Sequence, residues 1–355
     1  MKNPNFIHTF NKRGRTHSRH SRRAFLSFVA SLYLACLPAL FFSCSKTENA
    51  VTDECFDSFE RVMTKVAVPC SDAGIGINGY DVLVYNADGH GRLDSYMHFE
   101  PSGGELKVSS GSGRKKIVVV ANAPDGVLQW EKILTLGMLS RQCCPLESES
   151  ADAPVLVGMV ETDAGESCTV QMNPLTAKVC LKELSCDFRG TSYPLEELTD
   201  VKVYLTNVNA ECSITGDGDA GSRFINNGRM EESDIRKFVR PGIVLREVEG
   251  NVGMDPIPLD IELLCYPNGT AAESFGKPFT RIVIEGKIKG KTWYWPINVN
   301  PLGDGGIASQ DCFKLKVNLR RSGSEDPDTA ITLSEEDVKM EVEKWNEKES
   351  CRITF

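Results

Sequence analysis

Along several stretches of this 355-residue chain, apolar side chains recur at every second position. Phe313, Leu315, Val317 and Leu319 alternate with Lys314, Lys316 and Asn318. Val201, Val203 and Leu205 share one parity, as do Ile282, Ile284 and Ile288. Beyond Lys289-Gly290-Lys291 the same spacing continues through Trp293, Trp295, Ile297 and Val299. Successive side chains of a strand point to opposite faces, so this period places every apolar group on one side, whereas a helix would scatter them. Antiparallel sheets with one buried face are the fold that such a pattern predicts.

The remaining segments agree. Asp81-Val82-Leu83-Val84-Tyr85-Asn86 precedes a turn at Ala87-Asp88-Gly89, and Lys116-Ile117-Val118-Val119-Val120-Ala121-Asn122 is an apolar run of strand length. Val179 and Leu181 alternate with polar or small neighbours. Helical patterning is confined to residues 125–139, with Val127, Leu128, Leu134 and Met138, and to a short piece at 232–239. The expected class is therefore all-β, built from sandwiches with few short helices. The 312 residues from Cys44 onward exceed one comfortable sandwich, so two domains are expected. The boundary is placed where Cys186-Asp187-Phe188-Arg189-Gly190-Thr191-Ser192 interrupts the strands, giving residues 45–187 and 188–355.

Residues 1–44 read as a leader. They carry seven Lys/Arg and no Asp or Glu, then an uncharged, largely apolar run from Ala24 to Phe42 that ends at Ser43-Cys44. A basic start, an apolar stretch and a small residue at the cut describe a secretory signal. A membrane-spanning helix is the competing reading on length. A small residue followed by Cys44 and an abrupt polar stretch, Ser45-Lys46-Thr47-Glu48-Asn49, is similar to a bacterial lipobox, in which Cys44 becomes the acylated first residue. Cys36 is a rival position that would leave apolar residues 37–42 on the mature chain. Ser21-Arg22-Arg23-Ala24-Phe25-Leu26 also resembles a twin-arginine export signal, beside the simpler reading of an Arg-rich start.

Losing the leader leaves 33 Lys/Arg against 49 Asp/Glu, a net charge of −16. So acidic a surface is poorly matched to nucleic acid, which demands clustered basic charge. Of 13 cysteines, 12 survive cleavage, and acylation of Cys44 leaves an odd number. Their spacing contains no Cys-x-x-Cys, so no zinc signature is present. Cys180, Cys265, Cys312 and Cys351 sit inside strand patterns, where Cys acts as a small hydrophobe, and most of the thiols are expected free and buried.

Catalytic patterns fail on context. Gly74-Ile75-Gly76-Ile77-Asn78-Gly79 matches G-x-G-x-x-G in letters but leads into a strand, not a helix whose N-terminus would hold a pyrophosphate. Gly216-Asp217-Gly218-Asp219-Ala220-Gly221 lacks the spaced carboxylates of a calcium loop and reads as a turn. No cofactor, metal site or catalytic group is expected, and the chain is not read as an enzyme.

Val82-Leu83-Val84-Tyr85-Asn86-Ala87-Asp88-Gly89, Lys116-Ile117-Val118-Val119-Val120-Ala121-Asn122-Ala123 and Pro174-Leu175-Thr176-Ala177-Lys178-Val179-Cys180-Leu181 together resemble the fimbrillin family, the subunits of type V pili in Bacteroidales. The similarity continues through Thr280-Arg281-Ile282-Val283-Ile284-Glu285-Gly286, Trp293-Tyr294-Trp295-Pro296-Ile297 and the closing Val338-Lys339-Met340-Glu341-Val342-Glu343-Lys344-Trp345. The resemblance implies two transthyretin-like sandwiches, export as a lipoprotein to the cell outer membrane, and assembly with other fimbrial subunits by donated strands. It also implies a surface-exposed fimbrium serving adhesion, with host surface receptors as further partners.

In that family a protease cuts after an Arg near the N-terminus, for which Arg61 is the candidate here. Without the cut, the lipid would keep the protein on the membrane as an anchor. Val338, Met340 and Val342 share a face, and Cys351, Ile353 and Phe355 repeat the spacing, which suits a donor strand. An ordinary last strand of the second sandwich is the alternative for 338–345. A second functional reading is a lipid-anchored glycan- or ligand-binding protein using exposed Trp293 or Trp295, although their parity favours burial.

Overall fold

A computed structural model describes residues 61–69, 74–101, 105–216, 223–299, 306–329, 331, 337–344 and 351–353, the last three as backbone alone. Strands dominate it. The first region contains β1 (Val62–Ala67), β2 (Tyr80–Asn86), β3 (Leu93–Phe99), β4 (Glu105–Ser110), β5 (Arg114–Ala121), β6 (Cys143–Pro145), β7 (Leu156–Asp163), β8 (Cys168–Thr169) and β9 (Asn173–Pro174). The second contains β10 (Ala177–Cys186), β11 (Thr199–Thr206), β12 (Val208–Asn209), β13 (Glu211–Ser213), β14 (Phe224–Ile225), β15 (Leu245–Glu247) and β16 (Ile257–Cys265). It closes with β17 (Arg281–Ile288), β18 (Lys291–Asn298), β19 (Asp311–Leu319), β20 (Val338–Lys344) and β21 (Cys351–Ile353).

The first region packs a five-stranded sheet, β3-β2-β5-β7-β9, against a three-stranded one, β4-β1-β8. Val66, Val82, Val84, Leu106, Val108, Ile117, Val119 and Met172 fill the space between them. The five-stranded sheet is apolar on its other side too. Leu83, Tyr85, Val118 and Val120 belong to a larger core shared with the second region. That double burial is why β5 reads as an unbroken apolar run: both parities of its side chains leave water.

The second region is a sandwich of β16-β10-β19-β20-β21 against β15-β11-β17-β18. Here alternation is kept: Phe313, Leu315 and Val317 point into the core with Val179, Leu181, Ile282, Ile284 and Trp295, while Lys314 and Lys316 face outward. Pairing is antiparallel except at β1–β8 and β10–β19, both parallel. Sheet membership changes between Pro174 and Ala177. Strand β10, within the expected domain 45–187, is hydrogen-bonded to β16 and β19 on its two sides.

Polar links join the regions beside the shared core. Strand β6 pairs with β13, with flanking bonds from Leu146 N–H to the Ala210 carbonyl (2.8 Å) and from Ile214 N–H to the Gln142 carbonyl (2.9 Å). Beside this pair Glu149, 1% exposed, accepts from the Val155 amide (3.0 Å) and the Tyr266 hydroxyl (2.9 Å). Burial pushes the Glu149 carboxyl up to about 7 despite those donors.

Residues 125–139 do not form the expected helix. They hold one 3₁₀ turn, Trp130–Lys132, and one α-turn, Leu136–Leu139, capped by the Thr135 hydroxyl accepting from the Met138 amide. The backbone between the turns is used elsewhere: Leu93 N–H donates to the Leu134 carbonyl (2.9 Å) and Leu136 N–H to that of Gly91 (3.0 Å). Val127, Leu134 and Met138 of the expected apolar face are exposed, whereas Leu128 packs inward. The second helical piece is the single turn Glu232–Ile235.

Candidate assembly surfaces

A sheet that is to accept or donate a strand needs unpaired backbone at an edge. Strand β1 has such an edge. On one side β4 pairs with all of Val62–Ala67, but on the other β8 reaches only Val66 and Ala67. Alongside Val62–Lys65 no strand pairs among the described residues. Thr64 and Val66 point into the core, Met63 and Lys65 outward, and Met63 is 52% exposed.

Arg61 lies at the entrance to this strand and is exposed. Its guanidinium donates from Nε to the Ser109 hydroxyl (3.0 Å) and from Nη2 to the Ser109 carbonyl (2.9 Å), which ties it to β4. The peptide bond after Arg61 leads directly to Val62, paired with Ser110. Cutting there would leave β1 whole and remove everything before it. Ser109 carried no mark in the sequence, since a small polar residue in a strand has many uses.

At the other end of the chain, β20 lies antiparallel to β19, with Val338 opposite Val317, Met340 opposite Leu315 and Val342 opposite Phe313. Val338 and Met340 are buried in the large core, and Val342 is partly buried against it. Strand β20 thus completes its own chain's sandwich. Its outer edge is met by β21, Ile353 beside Met340 and Cys351 beside Val342. Cys44, the rest of the leader and Phe355 lie outside the described residues.

Two other edges of the second sandwich, those of β18 and β16, carry protection. Tyr294 of β18 exchanges two bonds with Ser324, N–H to carbonyl at 2.9 and 2.8 Å, so a strap crosses that edge. The strap needs glycine at 323, because a Cβ there would sit 2.5 Å from the Tyr294 carbonyl oxygen. Arg281, its side chain 4% exposed, holds the strap and a neighbouring loop by ion pairs to Asp328 (2.7 Å) and Glu273 (2.6 Å). Opposite, the edge of β16 carries Pro258, Asp260 and Glu262, a proline and charges that discourage pairing.

The two tryptophans are not a binding platform. Trp295, 1% exposed, stacks on Phe188 (6.3 Å between ring centres) and donates its indole N–H to the Arg321 carbonyl (3.0 Å). Trp293 is partly buried, with Tyr193 at its edge and the Lys291 ammonium 4.3 Å over its ring.

No family model and no curated protein matches the chain. Solved structures do. A fimbrilin from Porphyromonas gingivalis W83 superimposes with a TM-score of 0.56 at 13% identity, covering 80% of this chain and 97% of that one. The fold is that of a fimbrilin. A candidate cell adhesion protein from Bacteroides eggerthii aligns with a TM-score of 0.58 at 15% identity, over 81% of this chain and 96% of its own. Another from Parabacteroides distasonis gives 0.56 at 16%, over 81% and 98%. The fimbrilin fold thus spans both regions of the chain and is all-β, as the alternation predicted.

Proposed function

We propose that this protein is a structural subunit of a surface fimbria, exported as a lipoprotein through Cys44 and assembled by strand donation between copies or partner subunits. The observation that carries the proposal is the two-sandwich fimbrilin fold combined with an edge of β1 along Val62–Lys65 that no strand pairs among the described residues, the turn at Gly165 meeting it through a bond from the Gly165 amide to the Thr64 hydroxyl (2.9 Å). After a cut at Arg61 the chain would begin with β1, and an extended segment laid along that edge would gain backbone hydrogen bonds.

The tail is the better donor. Val338 and Met340 already complete the chain's own core, and exposing them would cost about 2–3 kcal/mol each. The Cys351–Ile353 segment adds only three residues to an outer edge and is released at little cost. The role is structural, and its place is the outer membrane and the appendage that grows from it.

N-terminal analysis of surface-extracted protein tests processing: acyl-Cys44 identifies an anchor, and a chain starting at Val62 a processed subunit. An unboiled detergent gel tests assembly, because strand-exchanged fibres run as a ladder. A single monomer band from cells expressing the whole assembly system would overturn the proposal. Glycan capture by Trp293 or Trp295 is not favoured, since both rings are covered from within the chain.

A further inference from the structure

The outward face of β10 and β19 holds a pair of thiols. Cys180 and Cys312 have the parity opposite to Val179, Leu181, Phe313 and Leu315, so they point away from the sandwich core. Their sulfurs stand 3.9 Å apart. Both are nevertheless shielded, Cys180 at 1% and Cys312 at 9% exposure. Lys178 lies opposite Cys312 and Lys314 opposite Cys180 in the parallel register. Lys178 pairs with Glu262 (3.6 Å) and Lys314 with Glu343 (2.6 Å), so each ammonium beside the sulfurs has its own carboxylate.

The electrostatics separate this pair from the other cysteines. The hydrogen bond to Cys180, helped by Lys314 and Lys178, holds the Cys312 thiol below its ordinary range. The same bond, together with burial, pushes Cys180 up. Of the two sulfurs Cys312 is thus the one biased toward the thiolate and Cys180 the one biased toward keeping its proton, the order that thiol–disulfide exchange uses. Cys144 and Cys212 face each other across β6 and β13, but burial pushes Cys144 well up and Cys212 to about 12. Metal binding is a poorer use of the pair. Two ammonium groups flank it, and among the described residues no three His, Cys, Asp or Glu side chains are grouped to hold an ion.

We propose that Cys180 and Cys312 form a redox-active dithiol that closes into a disulfide joining β10 to β19. The oxidant is an external disulfide, either a small-molecule one or a thiol oxidoreductase; only for meeting that oxidant in the cell does the proposal rest on the exported reading. The Cys312 thiolate attacks one sulfur of the oxidant, forming a mixed disulfide and expelling a thiolate. Cys180 then loses its proton to solvent and attacks Cys312 Sγ, expelling the second thiolate. The protein dithiol is oxidised by two electrons and the oxidant is reduced to two thiols. Closure brings the sulfurs from 3.9 Å to about 2.05 Å, by rotation of the two side chains with adjustment of the strands that carry them. The bond closes a loop spanning 132 positions of sequence.

The test uses the purified full-length chain, reduced and then equilibrated in glutathione buffers of graded poise, followed by alkylation and non-reducing peptide mapping. The expected result is a linked peptide containing Cys180 and Cys312, a mass lower by two hydrogens, and a Tm higher by roughly 5 °C or more. Cys180→Ser and Cys312→Ser should each abolish the linked peptide and the Tm gain. The wild-type map decides the matter even if a variant folds poorly. Full alkylation of both thiols at the most oxidising poise, with the circular dichroism of the fold intact, would overturn the proposal, as would a link between Cys144 and Cys212 in its place. The fimbrial reading is judged separately, by ladders from cells, so either can fail while the other stands.

Discussion

The two sandwiches handle their borders in opposite ways. In the second, a strap at Ser324 crosses the edge of β18, β21 meets β20, and Pro258 with two carboxylates guards β16. In the first, a three-stranded sheet faces a five-stranded one, and four residues of β1 have no strand paired on one side among the described residues. Among the described residues, one region thus guards edges that the other leaves without a paired strand. Under the fimbrial proposal the β1 edge is the docking position, and it lies next to the candidate cut at Arg61.

Four experiments break or sharpen that contrast. The largest effect should come from Trp295→Ala, which removes the biggest fully buried side chain, its stacking on Phe188 and its bond to the strap. A loss of about 3–5 kcal/mol in urea unfolding is expected; a loss below about 1 kcal/mol would mean that the second region is not organised around this residue. Next is Glu149. Its folded carboxyl is raised to about 7 from 4.5, so the stabilisation present below the unfolded value is lost as pH rises through 7. Wild type minus Glu149→Gln should therefore show stability falling by about 3 kcal/mol between pH 4.5 and 7.5. A flat difference would remove Glu149 from the joint.

Arg281→Ala should cost about 2 kcal/mol, since it releases charge-assisted bonds to Asp328 and Glu273 whose carboxylates are partly hydrated. Its sharper readout is hydrogen exchange: the Tyr294 and Ser324 amides should exchange faster once the strap is loosened. Unchanged protection would show that the strap holds without the ion pairs. Smallest in stability is Met63→Glu, expected within about 0.5 kcal/mol because the side chain is exposed. Loss of the detergent-stable ladder in that variant, with an unchanged melt, would assign assembly to β1; intact ladders would move the docking position elsewhere.

Much of the second sandwich could be read in the sequence because the core-facing side chains of β11, β17, β18 and β19 fall at every second position, even where opposite residues such as Tyr204 and Val283 are buried too. The first region was less legible for a physical reason. Strand β5 is covered on both faces, and a run such as Ile117 to Val120 looks alike in a buried strand or a buried helix. Residues 125–139 carried helical spacing, but Gly91 and Leu93 claim the backbone of 134–136, and tertiary hydrogen bonds override local preference. The parallel pairing of β10 with β19 had no local signal, because its partners lie over a hundred positions apart. At the candidate surfaces, Arg61 and the closing strand were visible as a basic residue and an alternating segment. Their surroundings were not: Ser109, the Gly323 strap and the buried Glu149 matter only through neighbours distant in sequence.

The β10–β19 pairing also sets an order of events during biogenesis. Strands β2, β3, β5 and β7 find their partners within a short length of chain, so the first sheet can form while later residues are still being delivered. Strand β10 must wait until residue 312 and beyond have emerged, with Val179, Leu181 and Leu184 meanwhile uncovered on that side. Throughout that interval the half-made chain exposes apolar strand surface that other copies can pair with, so the yield of folded protein should fall as its concentration during folding rises.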